Sequence, residues 1–212
     1  ICDGDVPVMY SEEVIGASCP LTVLRTWTAT DACGNTTSAT QTIIIDDETA
    51  PVLDGVPADA SVECDAVPAP ATVTATDNCD TDVAVLFSEV LELGACEHSY
   101  TLTRTWTATD DCGNQAVGSQ TITVTDTTAP VLSGVPADQT VSCDIAIAPA
   151  EVTATDNCDG SVEVVLTTTI EDADCPELDV TVYTWTATDA CGNTATSTQR
   201  ITRIDDAMPT LE

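Results

Sequence analysis

The stretch RTWTATDDCGN at 104–114 recurs almost unchanged as RTWTATDACGN at 25–35 and as YTWTATDACGN at 183–193. Trp27, Trp106 and Trp185 therefore fall at one constant interval. Self-similarity with a fixed period, here of about 79 residues, governs the whole architecture and is read before any single motif. Inside the stretch the side chains alternate with period two, as in a β-strand. Leu102, Arg104, Trp106 and Ala108 fall on one face, and Thr101, Thr103, Thr105, Thr107 and Thr109 on the other. The tryptophan face is expected to turn inward, with Arg104 near a rim. The threonine row is expected on a solvated face, where O-glycosylation is an alternative to plain β-propensity.

Working outward, TAPVLDGVPADASVECDAVPAPATVTATDNCD at 49–80 aligns with TAPVLSGVPADQTVSCDIAIAPAEVTATDNCD at 128–159, at the same interval as the tryptophans. The expected domains are an incomplete first repeat at 1–47, a second at 48–126, a third at 127–206, and the start of a further one at 207–212. Ile1-Cys2-Asp3 stands where Asn78-Cys79-Asp80 stands later, so the chain is expected to be part of a longer array. Threonine and valine dominate, proline and glycine punctuate, and no segment carries a 3.6-residue apolar period. In the second repeat the strands are expected near 59–64, 71–77, 82–90, 99–109 and 116–125. The fold class that follows is all-β, a tandem run of immunoglobulin-like β-sandwich repeats stapled by disulfides.

TAPVL at the start of the unit, ATVTATDNCD in its middle and WTATDxCGN near its end resemble the hyalin repeat and related immunoglobulin-like modules of extracellular and bacterial surface proteins. The resemblance spans the whole unit and implies the fold more sharply than the task. One departure is Cys112-Gly113-Asn114, a cysteine where that family usually carries a small residue, so disulfides are not transferred from it.

The composition narrows the partners. There are 36 acidic residues against 4 basic ones, all arginine, for a formal charge of −32. Such a chain is repelled by nucleic acid and by anionic membranes, and no apolar run approaches the ~20 residues that span a bilayer. Acidity reads either as solubility in a salty medium or as divalent-cation binding at particular carboxylates. Aromatics are only 3% of residues, so each core is small, and 11 cysteines at fixed places point to covalent support in an oxidising, extracellular compartment.

Cys64, Cys79, Cys96 and Cys112 follow one another at nearly equal intervals, each about a strand and a turn long. A strand of about eight residues runs roughly 26 Å, whereas bonded cysteines need Cα atoms within ~7 Å. Sequence neighbours then lie at opposite ends of a sandwich and alternate ones share an end. Within-repeat pairs follow: Cys64–Cys96, Cys79–Cys112, Cys143–Cys175, Cys158–Cys191 and Cys2–Cys33, with Cys19 left unpaired.

Catalysis is not expected: the one histidine, His98, sits in no motif and reads as a solvated loop residue, and no HExxH, GxSxG or glycine-rich phosphate loop occurs. The chemistry lies in aspartate. Asp77 and Asp110 share one end of the second repeat, Asp156 and Asp189 repeat the arrangement, and Asp31 survives in the first copy. The final strand of each repeat ends at the far pole, so the linker carrying Asp46 and Asp47 enters beside Asp77 and Asp110, and Asp126 enters beside Asp156 and Asp189. Converging carboxylates suit Ca²⁺, which takes 6–8 oxygen ligands. The alternative is that these aspartates only cap turns. Asn35-Thr36-Thr37 forms an N-glycosylation sequon absent from the other copies. The reading is a structural repeat segment of an extracellular rod, stalk or fibre that self-associates or continues in an array. The alternative is a module that binds a glycan or protein receptor through the divergent segment 86–98.

Overall fold

A computed structural model of the protein describes residues 5–16, 19–172, 179–206 and 208. Among them the regular elements are strands, apart from a 3-10 turn at Cys64–Ala66. The first repeat supplies β1 (Val8–Ile15), β2 (Leu21–Thr30) and β3 (Thr36–Ile45) as one antiparallel sheet in that order. The second supplies β4 (Val52–Asp54), β5 (Ala60–Glu63), β6 (Thr74–Thr76), β7 (Val85–Leu93), β8 (Tyr100–Thr109) and β9 (Gln115–Thr125). The third supplies β10 (Val131–Ser133), β11 (Gln139–Ser142), β12 (Thr153–Asp156), β13 (Gly160–Val162), β14 (Val164–Asp172), β15 (Asp179–Thr188) and β16 (Thr194–Ile204). Each of the later repeats has a small sheet, β4-β6 or β10-β12-β13, and a four-stranded one, β5-β9-β8-β7 or β11-β16-β15-β14.

The strands expected in the second repeat are present within a few residues of their places, and β4, the TAPVL segment, is an additional one. Pairing is antiparallel except that the short strand after the TAPVL segment runs parallel to the last strand of its repeat, Ala60 beside Ile122 and Gln139 beside Ile201. Two equivalent hydrogen bonds fix that register. Gln120 Nε2 donates to the Ala58 carbonyl and Gln199 Nε2 to the Ala137 carbonyl, at 2.8 and 2.9 Å. The DxCGN turn closes each hairpin with a glycine at positive φ, +88° at Gly113 and +91° at Gly192, where an L side chain would be strained.

The chain divides into two compact units whose boundary does not follow the repeats. One comprises 1–58, 70–89 and 104–120; the other comprises 59–69, 90–103 and 121–212. Each unit consequently contains one junction between successive repeats. In the first, Trp106 is 2% exposed and its ring lies 5.5 Å from Phe87. In the second, Leu102, Ile122 and Val124 form one buried cluster and Tyr183, Trp185 and Ile201 another. Trp27, on the three-stranded sheet of the first repeat, is 37% exposed.

Arg104 departs from its expected place at a rim. It is 3% exposed, with Nε 2.8 Å from Glu89 Oε2. A guanidinium is tolerated in a core when a carboxylate compensates it, and the cross-strand Glu89 supplies one. The same partnership joins Arg25 to Glu12 at 2.8 Å in the first repeat, where the sheet face is open.

The tryptophans give a test of this packing. Trp106→Ala removes a fully enclosed ring and is expected to cost about 3–5 kcal/mol in chemical denaturation, whereas Trp27→Ala costs a small fraction of that.

Candidate metal centres at the repeat junctions

Each junction is built from a linker and two turns. In the first unit the turn after β6 carries Asp77, whose Oδ1 accepts from the backbone N–H groups of Cys79 and Asp80 at 2.8 and 3.0 Å. The DxCGN turn after β8 carries Asp110, whose Oδ1 accepts from the N–H groups of Cys112 and Asn114 at 2.9 and 2.8 Å. Asn114 then ties the turn to the linker: its Nδ2 donates both to Asp110 Oδ2 at 2.9 Å and to the Asp47 carbonyl at 2.8 Å. Asp47 Oδ1 accepts from the Thr49 N–H at 3.0 Å. The second unit repeats the construction with Asp156, Asp189, Asn193 and Asp126. Asn193 Nδ2 lies 2.8 Å from Asp189 Oδ2 and 3.1 Å from the Asp126 carbonyl.

The aspartates therefore do cap turns, and they do so through Oδ1. In Asp110 and Asp189 the second oxygen accepts from Asn114 and Asn193, but in the other four it is left over. Oδ2 of Asp47, Asp77, Asp126 and Asp156 is buried without a hydrogen-bond partner. Asp47, Asp110, Asp126 and Asp189 are 6–8% exposed. In Asp47, Asp77 and Asp110, and again in Asp126, Asp156 and Asp189, one carboxylate oxygen from each residue lies within 4.8 Å of the others. Two oxygens bound to one Ca²⁺ at ~2.4 Å can be at most about 4.8 Å apart, so both triads fit that ion's dimensions and its hard oxygen chemistry. Asp46 is not in the triad. It is exposed, and its Oδ1 lies 3.1 Å from Cys19 Sγ.

The carboxyls of the second triad differ in proton affinity. Burial pushes Asp126 up, and the charges of Asp156, Asp189 and Asp159 add to that push. For Asp189 burial is the largest single influence and raises it, yet the bonds from Asn193, Cys191 and Gly192 together hold it below the ordinary value. In the first triad the N–H groups of Cys79 and Asp80 hold Asp77 down.

The disulfides overturn the within-repeat expectation. Cys19 bonds Cys112, Cys64 bonds Cys158 and Cys96 bonds Cys191, with Cα atoms 4.9, 5.9 and 5.0 Å apart. The pairs Cys64–Cys96, Cys79–Cys112 and Cys158–Cys191 do not form, and Cys19 is bonded. Among the described residues Cys33, Cys79 and Cys143 carry free thiols. The expected pairs Cys2–Cys33 and Cys143–Cys175 each include a cysteine, Cys2 or Cys175, that lies outside the described residues. The physical reason is polarity along the repeat. Cys64 and Cys96 lie at the pole a repeat presents to its successor, and Cys158 and Cys191 at the pole that successor presents back. Sharing an end of one sandwich is a weaker condition than meeting across a junction, where sequence separations of 93–95 residues close.

Asn35 is exposed, and its Nδ2, the atom a glycan would occupy, donates to Asp31 Oδ2 at 2.7 Å. His98 is not a free loop residue: Nε2 lies 2.7 Å from Asp159 Oδ1. Asn114 and Asn193 belong to the site although motif reading passes over them; an asparagine follows every DxCG, and its recurrence with the aspartate is the signal that points to it.

An array of small β-sandwich repeats joined through acidic, disulfide-linked junctions defines the class: a tandem extracellular-type repeat protein. The sequence pattern of the HYR-like domain with 4 cysteines matches residues 53–124 and 132–202, and the chain belongs to that family. No curated protein matches it. Among solved structures it is similar to Drosophila N-cadherin EC1-4, at 14% identity and a TM-score of 0.32, over 96% of this chain and 68% of that one. It is also similar to mouse clustered PcdhgC3 EC1-3, at 14% identity and a TM-score of 0.38, over 90% and 79%.

Asp126 allows the electrostatics to be tested without metal. Its folded value lies above the unfolded one, so its ionised form costs stability at neutral pH and that cost fades as pH falls through the raised value. In chelator, Asp126→Asn should therefore be more stable than the parent near pH 7 and lose the advantage below about pH 4, the ordinary carboxylate range, in parallel denaturation curves.

Proposed function

We propose that this chain is a structural repeat segment of an extracellular rod, stalk or fibre, and that Ca²⁺ bound at each junction holds successive repeats in register. The observation that carries the reading is the duplicated triad, Asp47, Asp77 and Asp110 and then Asp126, Asp156 and Asp189, each with buried oxygens that capping does not use. Every triad draws its ligands from a linker and from the repeat that the linker enters. An ion there fixes the linker's path, which is what a spacer requires and an isolated binding domain does not. The linker backbone supports the same end, since the Asp47 and Asp126 carbonyls already accept from Asn114 and Asn193. Three facing carboxylates without a cation would instead repel and loosen the linker. Stacked similar units that contact their neighbours make length, a role that requires no catalysis.

An adhesive role is the second reading. Val90, Leu91 and Leu93, on the last part of β7, are 58%, 52% and 82% exposed. This is the divergent segment, and an exposed apolar strand suits a protein partner better than a glycan.

Calcium titration tests the first reading. Two sites should appear in calorimetry, and at free calcium 100 times the dissociation constant each should stabilise the folded chain by about 2.7 kcal/mol. Asp110→Asn should weaken the first site alone and Asp189→Asn the second alone. Absence of binding down to millimolar affinity, with melting unchanged by chelator, would reduce the aspartates to turn caps.

A further inference from the structure

In the second and third repeats the short parallel strand ends beside the final residue of the last strand, Glu63 of β5 beside Thr125 of β9 and Ser142 of β11 beside Ile204 of β16. Two residues further along the linker stand Thr127 and Asp206. Each is held by the strand end. Glu63 Oε2 accepts from the Thr127 N–H at 3.1 Å, and Oε1 accepts from the Thr127 hydroxyl. In the third repeat the Ser142 hydroxyl donates to Asp206 Oδ1 at 2.8 Å.

The two links join equivalent positions with donor and acceptor exchanged. Glu63 and Ser142 hold the same place in successive repeats, as do Thr127 and Asp206. A carboxylate on the strand facing a hydroxyl on the linker thus becomes a hydroxyl on the strand facing a carboxylate on the linker. A purpose of either side chain on its own would require the same residue at the same place; what persists is the link between them, with its single negative charge. In both pairs the strand member is half-buried and the linker member exposed. Such a link adds little to the core, and its effect lies in where it holds the linker.

Thr127 follows Asp126, whose carbonyl accepts from Asn193 Nδ2 at 3.1 Å and whose Oδ1 accepts from the Thr128 N–H at 3.3 Å. Asp126 is therefore fastened on one side to the repeat that the linker enters and on the other, through Thr127, to the repeat that it leaves. Cys64, the residue after Glu63, bonds Cys158, whose N–H donates to Asp156 Oδ1 at 2.8 Å. Two adjacent residues at the end of β5 thus tie down two of the three segments that carry the triad, the linker through Glu63 and the turn of Asp156 through Cys64. Glu63 has a carboxylate oxygen within 4.8 Å of one on Asp126. Both of its oxygens are taken up by Thr127, so it reaches the triad through the linker and not as a ligand.

We propose that the link between Glu63 and Thr127 is the positioning contact that aims Asp126 at Asp156 and Asp189, that Ser142 and Asp206 hold the linker at Asp205 in the same way, and that the link works in either direction. A hydrogen bond from a hydroxyl to a carboxylate is stronger than one between neutral groups, and its strength does not depend on which chain segment supplies the charge. The inference rests on the calcium reading only for what Asp126 is aimed to hold; the link itself is decided in chelator.

The test writes the third repeat's arrangement into the second. Glu63→Ser alone leaves two hydroxyls facing each other and Thr127→Asp alone two carboxylates, whereas the two together restore a hydroxyl donating to a carboxylate at the parent's net charge. In chelator, with the chain in its oxidised form, hydrogen exchange at the Thr128 amide should quicken about tenfold in each single variant. In the double variant it should return to within about threefold of the parent, a coupling that unrelated local damage does not produce. Singles that exchange like the parent, or a double variant as fast as the singles, would overturn the proposal. Thr127→Val is a second break that leaves the charge unchanged: in calorimetry with calcium the second site should weaken about tenfold while the first is unaffected, and the double variant should bind like the parent. Parent affinity in Thr127→Val would show that the link does not aim Asp126 and would overturn the proposal as well. Should the parent itself bind no calcium, the calcium reading falls, and the exchange cycle upholds or overturns the link by itself.

Discussion

The structure depends on contact between the far pole of one repeat and the near pole of the next. A repeat of about 79 residues with so few aromatics buries a limited core, and part of its stabilisation is moved to this contact. Each linker is short, so the poles cannot separate far, and that proximity makes three other arrangements possible: the aspartate triad, the asparagine that bridges turn to linker, and the disulfides between repeats. A disulfide closing about 95 residues removes more chain entropy from the unfolded state than one closing a loop of about 30 residues within a repeat, although only by roughly 1 kcal/mol in the chain-entropy account. Its larger consequence is connectivity, because opening one junction then requires strain in both repeats.

The acidic surface acquires a local meaning at the junctions. Among the described residues most carboxylates are solvated, but the triads are partly desolvated and face one another. Backbone N–H groups in the turns stabilise the charge on Oδ1, and the amides of Asn114 and Asn193 add a bond to Oδ2 of Asp110 and Asp189, which is why Asp77 and Asp189 stay ionised readily. Asp126, with fewer donors and more burial, is pushed the other way. A cation among the remaining oxygens would relieve the site with the least internal compensation most.

The strands, the inward tryptophan and the convergence of Asp47, Asp77 and Asp110 are legible in the sequence. Period-two alternation of burial holds along β8 and β15, though not in the first repeat, where Trp27 is exposed, and the linker's entry point follows from strand polarity alone. The cysteine pairing is not legible one repeat at a time, though the same polarity contains it. Strand polarity, which brings Asp47 to the next repeat's turns, also places Cys64 and Cys96 beside the next repeat's Cys158 and Cys191. Treating each repeat as a closed sandwich hides that step. The burial of Arg104 is likewise invisible to alternation, because its tolerance rests on Glu89, on a neighbouring strand.

Stapling from repeat to repeat is most directly tested by stretching single molecules from their ends, before and after reduction. With Cys19–Cys112, Cys64–Cys158 and Cys96–Cys191 intact, force travels through 1–19, back along 112–96 and out through 191–212, so the unfolded oxidised chain should extend to roughly 200 Å and the reduced chain to roughly 700 Å. Pairing confined to each repeat would leave the strands between repeats under load, and an oxidised extension of roughly 400 Å would contradict the account.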